Sequence, residues 1–216
     1  MTASNPFTTK TWPDGIEINC LRVPLYTQPD EEPLCFAFCV KMILEYYRNI
    51  YPDKAVRAAV NDLTIDEIAS ILDIREDGWV INPKRLQQLG EHAGSLEFIY
   101  SKENDITVFR GNLSNQKPKI VLFDKYFLLN SDPGWLTSIL HSAVVIGLED
   151  DDEWIVLNDP WGKGYERIRM TDFYEAWNRA DCAVVEVLVR FRPKQTTLER
   201  HINFEEDIIR NGEEND

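Results

Sequence analysis

Cys35 follows the segment Gln28-Pro29-Asp30-Glu31-Glu32-Pro33-Leu34. His141 opens the apolar run Ser142-Ala143-Val144-Val145-Ile146-Gly147, and Asn158-Asp159-Pro160-Trp161 stands at the end of the next one. A thiol in the first turn of a helix meets unbonded N–H groups and the positive end of the helix dipole. Both favour thiolate, the form that attacks a carbonyl carbon. A glutamine shortly before it can donate its side-chain amide to the resulting oxyanion, alongside the backbone N–H of the cysteine. A histidine paired with a carboxylate is a base with a fixed tautomer and a stabilised protonated form. The same residues admit a plainer reading. Cys35 would be a small core residue, His141 the end of a strand, and Asp159-Pro160 a turn. Cys39 suits the core role better than Cys35, because the apolar stripe of the helix includes Cys39 and skips Cys35. His92 and His201 lie in polar surroundings and read as solvated, which leaves His141 as the base.

The elements that must position these residues are legible from periodicity. Phe36, Cys39, Val40, Ile43, Leu44 and Tyr47 recur at helical spacing, with Lys41, Glu45 and Arg48 opposite, predicting a core helix from about Leu34 to Asn49. Pro33 suits a first turn and Pro52 lies just beyond the end. Thr64-Ile65-Asp66-Glu67 has the form of a capping box and starts a second helix. Asp77-Gly78 reads as a turn, and Asn82-Pro83 starts a third helix that ends near Gly94. The second half is mainly strand: Leu96–Tyr100, Lys119–Phe123, His141–Gly147, Glu153–Asn158 and Ala183–Phe191, with a short helix over Thr171–Asn178. Residues 1–19 read as irregular, followed by a short extended entry over Leu21–Tyr26. A helical half followed by an antiparallel sheet is an α+β architecture.

Direct pairing across an acidic loop, Leu148–Asp152, puts Gly147 opposite Glu153, Val145 opposite Ile155, Ala143 opposite Leu157 and His141 opposite Asp159. Side chains alternate with period two, so these pairs share one face. The base and its orienting carboxylate are thus expected to meet at the open end of the hairpin.

Composition narrows the function classes. The 216 residues, 44% hydrophobic and 11% aromatic, support one sizeable core. The expected division is an N-terminal extension over 1–20, one domain over 21–195 and an acidic tail over 196–216. The net charge of −14 argues against nucleic acid and anionic membrane surfaces as partners, since both need a basic footprint. Cys20, Cys35, Cys39 and Cys182 are few and scattered, so neither a disulfide scaffold nor a structural zinc site is expected. With no signal-like start and no long apolar run, a cytoplasmic location is expected.

The order Gln–Cys–His–Asp resembles the papain-like cysteine peptidase superfamily, and more closely its C39 and C39-like group. The resemblance spans roughly residues 21–192. It rests on Val23-Pro24-Leu25-Tyr26-Thr27-Gln28, on Cys35 with Phe36-Ala37-Phe38-Cys39-Val40-Lys41-Met42-Ile43-Leu44-Glu45-Tyr46-Tyr47, on Thr64-Ile65-Asp66-Glu67-Ile68-Ala69 with the later Gly78, and on the segments from His141 and to Asp159-Pro160. It implies a papain-like fold with the nucleophile on the first core helix. It also implies Cys35 as nucleophile, Gln28 as oxyanion donor, His141 as general base and acid, and Asp159 as the orienting group. A peptide or protein substrate and no metal or organic cofactor would follow.

Two departures stand out. Phe36 follows the cysteine where the family usually has glycine, and the gap from Gln28 to Cys35 is one residue longer. Phe36, Trp135 and Trp161 are candidates for the walls of a cleft. Leader peptidases of the group are usually fused to a membrane exporter, a role this chain's lack of a membrane span does not support. Two alternatives remain at this point: a binding module without catalysis, and acyl transfer or deamidation by the same residues. Phe204, Ile208 and Ile209, set among charges in the tail, raise the idea of an autoinhibitory cover.

Overall fold

The computed structural model describes residues 5–29, 32–75, 81–129, 139–149, 151, 153–162 and 165–190. The expected turn at Asp77-Gly78, Trp135, His201 and the tail lie outside these residues. Within them the chain is α+β, with a helical N-terminal region packed on an antiparallel sheet in a papain-like arrangement.

The helix that carries the cysteine is α1, Cys35–Asn49. Ten of its side chains are buried, among them Ala37, Phe38, Met42 and Tyr46 in addition to the expected stripe. It is enclosed on most sides because it lies between the sheet and two short helices, α2 (Lys54–Ala59) and α3 (Ile65–Leu72). Its one polar row is neutralised locally. Lys41 pairs with Glu45 at 3.0 Å and with Asp62 at 2.7 Å, and Arg48 reaches Asp62 at 2.7 Å. Helix α3 has the expected capping box: the Thr64 hydroxyl accepts from the Glu67 N–H, and Glu67 accepts from the Thr64 N–H. Helix α4 (Pro83–Ala93) starts on the Asn82 cap and ends at Gly94, whose φ is +88°.

The sheet runs β1-β2-β5-β4-β8-β3, and β6 and β7 extend it from β5. The strands are β1 (Phe7–Thr11), β2 (Glu17–Leu21), β3 (Leu96–Lys102), β4 (Lys119–Asp124), β5 (Leu140–Leu148), β6 (Trp154–Asn158), β7 (Tyr165–Arg169) and β8 (Ala183–Val189). Three short helices complete the described residues: α5 (Thr107–Ser114), α6 (Lys125–Leu129) and α7 (Met170–Asn178).

The N-terminal segment is not irregular. Phe7–Thr11 and Glu17–Leu21 form a hairpin that joins the sheet through Cys20 opposite Gly147. A Cβ on Gly147 would stand 2.6 Å from the Cys20 sulfur, so the absence of a side chain there permits the approach.

The β5–β6 register also differs from direct pairing. Leu148 faces Ile155, an offset of three from the expected partner Asp152. A bulge between Val145 and Gly147 removes one, so Val145 faces Leu157 and Val144 faces Asn158. The two-residue offset that remains preserves which face each side chain takes. Continuing that register, Asp159 lies diagonal to His141 on the same face, instead of directly opposite.

Candidate active site

Cys35 is the first residue of α1. Leu34 at the helix N-cap supplies no side-chain cap, and the first turn carries no acidic residue. The positive end of the helix dipole there favours the thiolate. The thiol lies within hydrogen-bonding reach of His141 and of the backbone N–H and hydroxyl of Ser142. Burial pushes the thiol up, but the His141 bond and charge and the Ser142 bonds outweigh it, so Cys35 titrates below its ordinary 9.0. The other three thiols move the opposite way. Burial raises Cys20 to about 12, and it raises Cys39 and Cys182 as well.

His141 sits near the start of β5, 3% exposed, between Phe123 of β4 and Trp161. Its Nε2 lies 2.6 Å from Oδ1 of Asp159. Burial alone would lower the imidazole. The bonds and charges of Asp159 and Cys35 outweigh it and lift His141 from its ordinary 6.5 to about 9. Asp159 is fully buried, which would raise its carboxyl. The His141 bond and charge, followed by Lys125, hold it well below the usual carboxylate range. The Trp161 N–H also donates to Oδ1 at 2.8 Å, and the Gly162 N–H donates to the Asp159 carbonyl at 3.1 Å. The turn after β6 therefore fixes the carboxylate through local backbone.

Gln28 lies in the extended segment before α1, and that segment is tied to the same turn. The Gln28 N–H donates to the Pro160 carbonyl at 2.8 Å, and Asn158 Nδ2 donates to the carbonyls of Val23 and Pro24 at 2.9 and 3.3 Å. The Gln28 side-chain amide donates to the Glu32 carbonyl at 2.9 Å, and its Oε1 is buried without a partner. The Glu32 carbonyl thus takes one of the two amide hydrogens of Gln28.

The side chain of Phe36 is 1% exposed and belongs to the core, so it does not wall a cleft. Trp161, 39% exposed with its ring 5.6 Å from that of His141, is the aromatic at the site's open side. His92 is exposed on α4.

Three residues of this constellation escaped the sequence reading. Asn158 was noticed only as the neighbour of Asp159. Lys125 and Glu166 carried no signal: Lys125 reaches Asp159 Oδ2 at 2.6 Å, and Glu166 reaches Lys125 with both oxygens, at 2.9 and 2.7 Å. Among the described residues, the one cluster of three metal-capable groups is Glu149, Asp151 and Glu153. It is in the β5–β6 turn, at the opposite end of that hairpin from His141.

No helix among the described residues is long and apolar enough to cross a membrane. No curated protein sequence matches the chain. Among solved structures, one described as a C39-like peptidase from Bacillus anthracis is 16% identical, with a TM-score of 0.55 over 79% of this chain and 96% of that one. Xylellain, a cysteine protease from Xylella fastidiosa, is 15% identical, with a TM-score of 0.44 over 88% of this chain and 87% of that one. At these identities the first likeness speaks for the fold. The family assignment rests on the sequence itself: residues 20–185, which include Gln28, Cys35, His141 and Asp159, match the model of the Peptidase_C39 like family, and the chain belongs to that family.

Proposed function

We propose that the protein is a thiol-dependent hydrolase of a peptide or related amide bond. Cys35 is the nucleophile, His141 the general base and acid, Asp159 the orienting carboxylate, and Gln28 with the Cys35 backbone N–H the oxyanion donors. The observation that carries the reading is the commitment of His141 Nε2 to Asp159 at 2.6 Å while Cys35, alone among the four thiols in being lowered, is held down by the same imidazole. A core cysteine needs no such partner.

The thiolate attacks the amide carbonyl carbon, and the π electrons move onto oxygen. The oxyanion takes hydrogen bonds from the amide hydrogen of Gln28 that does not go to Glu32 and from the Cys35 N–H. The intermediate collapses, the C–N bond breaks, and His141 gives its proton to the departing amine. His141 then takes a proton from water, whose oxygen attacks the thioester, and the Cys35 thiolate leaves. No step calls on a metal or an organic cofactor. The contact between Cys35 and His141 weighs against a purely binding role, which would tolerate their separation. Acyl transfer or deamidation would use the same first half-reaction and differ only in the acceptor or the amide attacked.

Alkylation by iodoacetamide with intact-mass readout tests the reading. At pH 6.5 the native chain is expected to take up one label at Cys35, roughly tenfold or more faster than the same cysteine in denaturant, where the thiol is almost wholly protonated. Cys35→Ala should remove that label and all amide hydrolysis. Fast labelling that persists at Cys20 or Cys39 in the variant would sink the assignment.

A further inference from the structure

We infer that Lys125 is a positioning residue for the Asp159 carboxylate and that Glu166 holds Lys125 in that role; this rests on the roles of Cys35, His141 and Asp159 proposed above. An aspartate carboxylate has two equivalent oxygens and a soft terminal torsion. One bond from His141 would not fix its plane. Here the oxygens are made unequal: Oδ1 receives His141 and the Trp161 N–H, and Oδ2 receives the Lys125 ammonium at 2.6 Å.

Lys125 is itself anchored at both ends. Its backbone N–H donates to the carbonyl of Ile139, two residues before His141, at 2.9 Å. Its neighbour Asp124 accepts from the Ile139 N–H at 3.3 Å and from Tyr126 and Phe127 in α6. Its ammonium then bridges Asp159, beyond β6, and Glu166 on β7. One residue therefore ties the entry of the histidine's strand to the aspartate's carboxylate.

The charges along these contacts are ordered. From Cys35 thiolate through His141, Asp159, Lys125 and Glu166, the signs alternate. Each buried charge has an opposite neighbour, as burial requires. The surplus negative charge falls on Glu166, whose side chain is 31% exposed and solvated. Lys125 and Glu166 line a cavity of about 610 Å³, and among the described residues Arg167, Arg169 and Asp172 are the other charged groups that line it. Arg167 is already paired with Asp14. A lysine that merely filled space would not need this double clamp.

The test is the pH dependence of Cys35 alkylation, which needs no substrate. The native protein should show two inflections, one as the thiolate forms and one as His141 loses its proton. Lys125→Met removes a cation beside Asp159 and is expected to move both inflections alkaline by about half a pH unit, roughly a threefold rate change on the rising limb. Glu166→Gln leaves Lys125 uncompensated and should move both acid by a similar amount. A packing role would change thermal stability and leave the inflections in place. If Lys125→Met does not fold, the opposite shift in Glu166→Gln decides. Inflections unmoved in the folded variants overturn the positioning role alone. A native Cys35 that labels only near its ordinary 9.0 overturns the proposed catalytic reading, and this inference with it.

Discussion

In an unfolded chain the four thiols are equivalent; the fold sets Cys35 apart by giving it the first position of a helix and a histidine that keeps its proton. The imidazole keeps that proton because Asp159 is held ionised in a buried position. The signs define a working range. Cys35 is lowered, so thiolate is present above its depressed value and lost as pH falls through it. His141 is raised, so the proton that the proposed mechanism gives to the leaving amine is present through neutral pH and lost as pH rises through about 9. Peptide hydrolysis should therefore plateau through neutral and mildly alkaline pH and decline with a midpoint near 9. A kcat/KM profile that climbs monotonically past 9 would contradict the thiolate–imidazolium pair.

At the scale of elements, two contacts set how α4 meets α2 and how α3 begins. Gly94 ends α4 with φ +88°, and a Cβ there would stand 2.2 Å from the Ala59 carbonyl oxygen. Backbone bonds from Ser95 to Ala59 and from Asn61 to Ala93 leave neither partner room to retreat. Gly94→Ala is expected to cost about 2–4 kcal/mol, read as a loss in urea unfolding free energy. Thr64→Ala removes only one half of an exposed capping box and should cost about 1 kcal/mol. Equal losses in the two variants would mean that the α2–α4 contact is looser than its geometry implies. The bulge in β5 matters for a different reason. It reduces a three-residue offset to two, and an even offset keeps His141 and Asp159 on one face. A strand without it would present the two residues to opposite faces.

For the whole molecule, the net charge of −14 creates a field that reaches substrates before contact. Basic peptides are expected to be cleaved with a higher kcat/KM than neutral ones of similar length at low salt. The advantage should shrink as ionic strength rises from about 0.05 to 0.5 M, because the Debye length falls below the distances involved. A salt-independent ratio would assign the preference, or its absence, to local pockets.

The local signals in the sequence were strong where a single element carries them. The stripe from Phe36 to Tyr47, the box at Thr64–Glu67 and the cap at Asn82-Pro83 each fix a helix within a residue or two, because periodicity and capping are short-range chemistry. The β1–β2 hairpin was illegible for the converse reason. Its first strand, Phe7–Thr11, is largely polar and forms by pairing with Glu17–Leu21, whose apolar alternation is only five residues long, and the pair joins the sheet at Gly147, a meeting no local pattern announces. The same division runs through the site. Residue type and order alone nominate Gln28, Cys35, His141 and Asp159 as candidates, since few other groups in the chain can do nucleophilic chemistry. That Lys125, 34 residues away, closes on the other oxygen of Asp159, and that Glu166 holds Lys125 there, was decided only by tertiary structure. A buried charge is satisfied by whatever opposite group the fold brings within 3 Å, and distance along the chain carries no record of that meeting.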